Sequence, residues 1–419
     1  MSDILVEREK RSNKIKKLLN DFPIIISLKA NIPGQDKNRF PAHLLVRLFS
    51  NLMKFEYECL RSLNESADGP FLIIPLTSGD PIQIKEQCIR IEDENSLGRF
   101  VDIDVYSLSQ EHHRMTPRNC IVCHEFDSRI CQKSERHTPE EVIKVIQDNT
   151  MSYLLQVVSQ LIHESVLCEL HLDPKFGLVT PTSSGSHSDM DYRLMLKAKD
   201  AILPYFIQMF EIGVLSNKSP IELMRDIREV GLQAERAMLK ATGGVNAYKG
   251  LIFNLGFVVT AFGRALRLHL PFNTIFDELK LMAQPLISEL DSTPVSFGLE
   301  AYHKYGIGGA RKEMSLGLPS VQSVLSTMKD TDEHSLYIAL VELIRSIEDT
   351  TLLKRADINT LYLIKQMFAR IDLSDINEIR QVSEYCVENN LTFGGSADLL
   401  IVAVFLHKVR TLFFTSQDQ

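Results

Sequence analysis

Thr138-Pro139-Glu140-Glu141 is the stretch on which the architecture turns. Thr138 is placed to cap a helix, Pro139 to fill its first position, and Glu141 to reach back to the cap as a capping box does. Upstream of this point, short β-branched runs alternate with helical patterns. An amphipathic helix carries Ile4, Ile15, Leu18 and Leu19 among charges, and a strand over 24–28 is closed by Asn31-Ile32-Pro33-Gly34. Helical spacing then runs over 41–63, a second strand over 71–76, a helix from an Asp80 cap to about Asp93, and a third strand over 100–105. Downstream, helical patterns over 142–170, 192–212, 220–240, 245–268, 336–348 and 396–413 follow one another, joined by loops rich in Gly and Ser, with no convincing strand. The fold class expected is therefore multidomain, with an N-terminal α/β (α+β) domain over 1–137 and an all-α helical domain over 138–419.

Bulk composition agrees. A chain of 419 residues exceeds the usual span of one core, and a prior of ~150 residues per domain suggests two or three. A net charge of -8 argues against a general nucleic-acid binder, which needs clustered Lys and Arg. Seven cysteines spread over both halves do not form a secreted disulfide framework. The charged N-terminus lacks the apolar core of a signal peptide, and the run from Leu251 to Gly263, broken by Asn254, falls short of the ~18 residues that span a bilayer. The expectation is a cytoplasmic protein with no nucleic-acid or membrane partner.

Three segments of the helical half are rich in Gly, Lys, His and Asp. The first runs from Lys175-Phe176-Gly177 to Gly185-Ser186-His187-Ser188-Asp189-Met190-Asp191. Asp189 and Asp191 there either hold a divalent metal through hard oxygens or cap the next helix in solvent. The second is Ala241-Thr242-Gly243-Gly244-Val245-Asn246-Ala247-Tyr248-Lys249-Gly250, either an anion cradle of free backbone N–H groups with Lys249 at a phosphate, or a simple Gly-Gly helix break. The third is Tyr305-Gly306-Ile307-Gly308-Gly309-Ala310-Arg311, echoed by Gly394-Gly395-Ser396-Ala397-Asp398. Arg311 is suited to phosphate, Ser396 to capping the last helix, and Asp398 to partnering a helix dipole or to catalysis.

In the first half, Gly98-Arg99-Phe100-Val101-Asp102-Ile103-Asp104-Val105 puts two carboxylates on one strand face, with Arg99 close in sequence. They either hold Mg²⁺ against a phosphate or form the wet side of an amphipathic edge strand. Cys120, Cys123, Cys131 and His137, with His124 beside them, make either a zinc site or a reduced, partly buried cluster.

Taken together, the helical segments, with Glu235 through Gly250 and Asn390 through Leu400, resemble the triphosphoribosyl-dephospho-CoA synthase family that serves citrate lyase and, in a related branch, malonate decarboxylase. The segments Asn31-Ile32-Pro33-Gly34 with Lys37-Asn38, Leu97 to Val105, and Arg118 through His137 resemble the phosphoribosyl-dephospho-CoA transferase of citrate lyase, the holo-carrier synthase. Two departures stand out: Tyr248 where the family has His, and Asp349-Thr350-Thr351 with Arg355-Ala356-Asp357 where it has Asp-Thr-Asn and Arg-Gly-Gly.

The resemblance implies a nucleotidyltransferase-like first domain and a bifunctional enzyme using Mg²⁺, ATP and 3′-dephospho-CoA, with the acyl carrier subunit of citrate lyase as partner. It places Asp102 and Asp104, with Arg99 and Lys37, at the transfer of the group to a carrier serine. It places Asp189 and Asp191 at metal or base duty in the synthase. Lys175, His187, Gly243, Gly244, Asn246, Lys249, Arg311, Ser396 and Asp398 are then substrate-binding. The rivals are a non-catalytic nucleotide- or dephospho-CoA-binding protein, the equivalent synthase serving malonate decarboxylase and, more distantly, a zinc-dependent interaction module.

Overall fold

The β-branched runs of the first half pair into one antiparallel sheet. In the computed structural model, which describes residues 3–59, 61–108, 111–290, 300 and 303–415, the chain divides into two units, Met1–Gln156 with Thr411–Gln419, and Val157–Arg410. The expected division at Thr138 thus falls at the head of a helix that itself contains the contact-defined boundary.

The first unit comprises α1 (Asp3–Leu18), β1 (Ile24–Ala30), α2 (Ala42–Leu52), β2 (Ser62–Asn64), β3 (Phe71–Leu76), α3 (Pro81–Glu94), β4 (Val101–Ser107), β5 (Glu111–His112), α4 (Ser128–Lys133) and the start of α5 (Pro139–His171). Strand order is β2-β3-β1-β4-β5. In the register, Ile26 faces Ile74 and Val105, and Leu28 faces Leu72 and Ile103, so these side chains share one sheet face. All are at most 2% exposed, and α2 and α3 pack on the sheet at β1 and β4.

The opposite face is divided. Ile25, Phe71 and Ile73 form a core with Ile15 of α1, flanked by Leu18, Phe22 and Tyr106. Beside it, Ser27 is paired with Asp104 and Lys29 with Asp102. Both expected caps are present: Asp80 accepts from the Ile82 N–H, and Thr138 and Glu141 form the reciprocal box.

One sequence expectation is corrected here. The helix expected over 41–63 ends at Leu52, and Ser62–Asn64 is a strand paired with β3; Leu60 lies outside the described residues. The Arg61 guanidinium donates to the Ser50 and Met53 carbonyls, so it terminates α2 and turns the chain back. At Asp102 and Asp104, β4 pairs with β1 alone, because the short β5 reaches only Val105 and Tyr106, so the carboxylates lie on a free stretch of strand edge.

The second unit contains the rest of α5, then α6 (Tyr192–Leu215), α7 (Pro220–Thr242), α8 (Lys249–Leu268), α9 (Thr274–Leu290), α10 (Gly309–Ser315), α11 (Pro319–Thr327), α12 (Glu333–Ser346), α13 (Thr350–Leu353), α14 (Ile358–Phe368), α15 (Ile376–Glu388) and, as far as Arg410, α16 (Gly394–Phe413). No strand occurs among its described residues. Helix α8 is long and apolar enough to cross a membrane by length and composition, but 78% of that window is buried within the protein, as befits a core helix. It packs closely on α6 because small residues line the crossing. A Cβ on Gly213 would stand 2.2 Å from the Thr260 carbonyl oxygen, and one on Gly263 2.6 Å from that of Phe210.

Helices α9, α10, α11, α13, α14 and α15 lie where no helix is expected from the sequence, and α8 begins four residues after the expected start at 245. Residues 309–311 of the third segment, read as loop, form the first turn of α10.

The α6–α8 crossing predicts that Gly213→Ala weakens the helical unit by about 3 kcal/mol, since a backbone carbonyl cannot yield to the added methyl. Gly231→Ala in α7, whose Cβ would meet nothing nearer than 3.6 Å, should be neutral or stabilising by up to about 1 kcal/mol. Urea unfolding of the two variants checks both.

Candidate active sites

In the first unit the polar part of the sheet face is the candidate. Asp102 and Asp104 project on the same side as Lys29 and Ser27 of the neighbouring strand. Burial holds the Asp104 carboxyl above its ordinary value, and the like charge of Asp102 adds to this, against Lys85 and Lys29. Lys37 lies nearby in the 31–38 loop and donates to the Ile32 carbonyl. Its ammonium is held below its ordinary value by burial and by Arg8, with Lys29 contributing. Arg8 and Arg11 of α1 both grip the buried Asp68, at 2.9 and 2.7 Å. Two carboxylates and several cations therefore share one region, as a metal-bound phosphate requires.

Arg99 has a different setting. Its guanidinium donates to the Asn119 carbonyl and feels mainly Arg118, Arg114, Asp93 and Glu92. Buried Glu92 organises that group, accepting from Arg114 at 2.9 Å, from Arg118, and from the Ile103 N–H at 3.1 Å. Lys29 and Arg8 are the residues sequence reasoning missed. Strand alternation exposes Lys29 on the Asp102 side, whereas nothing local points to Arg8.

In the second unit, the segments singled out in the sequence meet around the N-terminus of α16. The buried Asp349 carboxylate accepts from Thr351 N (2.9 Å), Thr351 Oγ1 (2.5 Å), Ser396 N (2.9 Å) and Ser396 Oγ (3.0 Å), while the Gly394 N–H donates to Thr351 Oγ1 at 2.8 Å. The last helix therefore starts at Gly394 and is capped from a distant segment. Ser396 lies inside the helix and is not its cap, which corrects the expectation.

The first segment joins through Arg355. This residue donates to the Ser186 carbonyl, to Asn390 Oδ1 (2.8 Å) and to His187 Nδ1 (3.0 Å). Arginine has no acceptor, so His187 Nδ1 must accept, and the ring proton sits on Nε2, facing Thr392 Oγ1 at 3.0 Å. Burial and the Arg355 charge bring His187 down to about 4. Gly177 is required here, because a Cβ would strike the Leu391 carbonyl oxygen at 2.2 Å and its φ is +73°. Asp191 caps α6 through Leu194 N at 2.8 Å, and Asp189 stands exposed, 3.9 Å from His187 Nδ1.

The second segment arrives at Gly250, where a Cβ would come within 2.0 Å of Asp398 Oδ2. Asp398 is half-buried, and its carboxyl is held well above the ordinary range by desolvation, with Glu169 and Asp349 adding to this. Tyr248 lies beside the same carboxylates. Burial first, then Glu169 and Asp398, hold its phenol protonated, and its hydroxyl is buried with no hydrogen-bond partner. Lys175 pairs with Glu169 at 2.6 Å in the interior, and burial lowers its ammonium despite that partner.

The expected cradle of free N–H groups at Gly243 and Gly244 is corrected: both N–H groups donate to the Leu239 carbonyl and close α7 in a left-handed C-cap. Asn246 instead accepts from Lys249 N at 3.2 Å, and the Lys249 ammonium pairs with Glu235. The third segment meets the 349–355 collar, since a Cβ on Gly309 would lie 2.9 Å from Thr350 Cγ2; Arg311 follows, half-buried, in α10. Sequence reasoning left Glu169 unnoticed within a long helix and treated Asp349 and Arg355 only as departures from a pattern.

Comparison with known proteins also divides the chain near residue 155, with the second match running on to residue 414. Residues 155–414 match the family described as ATP:dephospho-CoA triphosphoribosyl transferase, and residues 1–153 match that of apo-citrate lyase phosphoribosyl-dephospho-CoA transferase. A Haemophilus influenzae protein called CitXG is 29% identical, with 97% of this chain and 96% of the relative aligned. The CitXG protein of Leuconostoc mesenteroides subsp. cremoris is 28% identical over 98% of this chain and 97% of its own. The 2-(5''-triphosphoribosyl)-3'-dephosphocoenzyme-A synthase of Haemophilus ducreyi is 31% identical over 66% of this chain and 96% of its own.

His187 gives a pH prediction. The unfolded ring binds a proton near its ordinary 6.5 and the folded ring only near 4, so protons favour the unfolded chain in between. The stability linked to His187 is complete above about pH 6.5 and declines as pH falls toward about 4, by no more than about 3 kcal/mol. Urea unfolding against pH should show this acid limb flattened in His187→Gln, and ring NMR should place the wild-type midpoint near 4.

Proposed function

Because residues 155–414 belong to the ATP:dephospho-CoA triphosphoribosyl transferase family and the apo-citrate lyase transferase module precedes them, we propose that this one chain builds a nucleotide-derived prosthetic group and attaches it to a carrier protein. The tandem match, with fusion relatives aligned almost end to end, is the observation that carries this reading. The chain is a bifunctional maturation enzyme of citrate lyase. The first unit is nucleotidyltransferase-like, and its partner is the acyl carrier subunit. The apo-citrate lyase module favours that carrier over that of malonate decarboxylase.

In the synthase reaction, the ribose 2′-hydroxyl of dephospho-CoA attacks C1′ of the ATP ribose and adenine leaves. The bond to the adenine nitrogen breaks as the new C1′–O bond forms; the attacking hydroxyl gives up its proton and adenine takes one, so no net proton is consumed. Asp398 is our assignment for the acid that protonates adenine, because its surroundings hold the carboxyl well above the ordinary carboxylate range. Glu169 offers negative charge to the cationic sugar of the transition state, and the unpartnered Tyr248 hydroxyl is free to donate to substrate. Lys249 and Arg311 are suited to the triphosphate. Mg²⁺ fits Asp189 and the oxygen of Asp191 not used in capping, since this ion commonly takes one or two carboxylates and the substrate's own phosphates; bound there it would neutralise the triphosphate.

In the transferase reaction, a carrier serine attacks the α-phosphate of the product and pyrophosphate leaves. Asp102 and Asp104 fit Mg²⁺, because the charge repulsion and burial that raise Asp104 are relieved by a divalent cation. Lys29 and Lys37 would offset charge on the phosphates, and Arg99 would stabilise the adjoining 118–119 backbone.

The test is incubation of the full chain with ATP, Mg²⁺ and dephospho-CoA, followed by chromatography for adenine and mass analysis of added carrier subunit. Adenine release and a carrier mass gain are expected; tight binding without release would leave only a nucleotide-binding protein. Asp398→Asn should lower adenine release about a hundredfold or more and leave transfer of pre-made product intact. Asp102→Asn should do the reverse. Unchanged adenine release by Asp398→Asn would remove that residue from the acid role.

A further inference from the structure

Outside both candidate sites, one cluster of metal-ligating side chains is not absorbed by the reactions above. We propose that Cys120, Cys123, Cys131 and His137 hold one structural zinc ion, which clamps the 118–137 segment of the first unit. Their four donor atoms all lie within 4.8 Å of one another, although the residues span a turn, a short helix and the residue before the Thr138 cap. Among the described residues no other group of three or more His, Cys, Asp or Glu ligand atoms comes together in this way.

The spacing and chemistry select zinc. Three thiols and one imidazole form a closed Cys₃His donor set, and a Zn–S bond of about 2.3 Å in tetrahedral geometry separates two sulfurs by about 3.8 Å. Cys123 Sγ and Cys131 Sγ lie 3.6 Å apart, far beyond the roughly 2.05 Å of a disulfide. All seven cysteines of the chain are free thiols.

The backbone around the cluster is shaped like a metal knuckle. The Cys120 N–H donates to the Phe126 carbonyl at 2.7 Å and the His124 N–H to the Cys120 carbonyl at 3.0 Å, with His124 at φ +60°. The Val122 N–H points at Cys120 Sγ at 3.4 Å, a contact that favours sulfur carrying negative charge. His137 faces the Cys123 thiol, and its Nε2 is buried without a well-directed hydrogen bond. A buried imidazole nitrogen left in that state is costly unless something else binds it.

Arg136, stacked on Phe126 with its guanidinium 4.0 Å from the ring centroid, supplies positive charge near a centre that carries a net charge of −1 when zinc and three thiolates combine. Zinc binding would release the thiol protons to solvent, and no electrons are transferred. The clamp would hold the Asn119 carbonyl, on which the Arg99 side chain is fixed. The inference stands independently of the proposed reactions, because its test reads metal and not turnover.

The full chain, purified under reducing conditions, is analysed for elemental content, then stripped with a chelator and titrated with cobalt(II) as the probe. About one zinc per chain and the visible bands of a tetrahedral thiolate–cobalt centre, abolished by adding zinc, are expected. Cys123→Ser and Cys131→Ser should each lose zinc to a competing chelator at least tenfold more readily, whereas Cys59→Ser should not. His137→Cys, which restores a fourth donor, should keep the metal and shift the cobalt bands toward those of a four-sulfur site. Substoichiometric zinc with an octahedral cobalt spectrum, or full retention of zinc in Cys123→Ser and Cys131→Ser, would overturn the proposal.

Discussion

One buried carboxylate, that of Asp349, organises the helical unit. The N-terminus of a buried helix presents backbone N–H groups that must find acceptors. Helix α16 has two glycines at its start and no local side chain to serve them. Asp349 and Thr351 meet that need from a separate segment, so the 349–355 strip is bound to the helix. Arg355 can then hold His187, and Asp398 sits within the same enclosure. A charged acceptor at a helix N-terminus is favoured by the helix dipole as well as by the hydrogen bonds. The close approach of Gly395 to Asp349, where a Cβ would lie 3.1 Å from either carboxylate oxygen, leaves little room for a side chain.

The two departures from the family pattern look different in this light. Thr351 stands where an asparagine is usual, yet its hydroxyl donates to Asp349 and accepts from Gly394, so it relays the cap. Arg355 is retained and makes the contacts to the His187 loop, while Asp357 caps α14 through Thr360 N at 2.8 Å. Tyr248 cannot carry a proton near neutrality as an imidazole does, but its hydroxyl lies among the same carboxylates. If proton delivery belongs to Asp398, a phenol at this position is compatible with the chemistry.

Much of this was legible from local signals. The Asp80 and Thr138 caps, the alternation of Val101 to Val105 and the long helices on either side of Gly243 are set within a few residues, and each is present, the helix after Gly243 starting four residues late. What was illegible depends on contacts between distant parts of the chain. Ser396 has the residue type and position of a cap, but its place was taken by a side chain 47 residues away in sequence. The pattern over 41–63 keeps helical spacing past Leu52, and only the return of Arg61 ends the helix. The candidate sites follow the same division. Asp102 and Asp104 declare themselves by spacing, whereas the burial that sets Asp398 apart from an ordinary helix-dipole partner exists only once α8 brings Gly250 against it.

The residues near the C-terminus carry a consequence for how the two activities are joined. Asn51 in α2 donates to the carbonyls of Leu412 and Phe414, at 3.0 and 3.1 Å, and Arg47 lies over the Phe414 ring. The first unit is thus completed by the last stretch of chain, and the helical unit is threaded into it as a long insertion and not appended as a tail. Cutting the gene at the apparent junction would leave the sheet unit without its closing segment. The covalent link between the two activities is therefore double, and an evolutionary fission of this chain into separate proteins would have to replace the packing now supplied by Phe414.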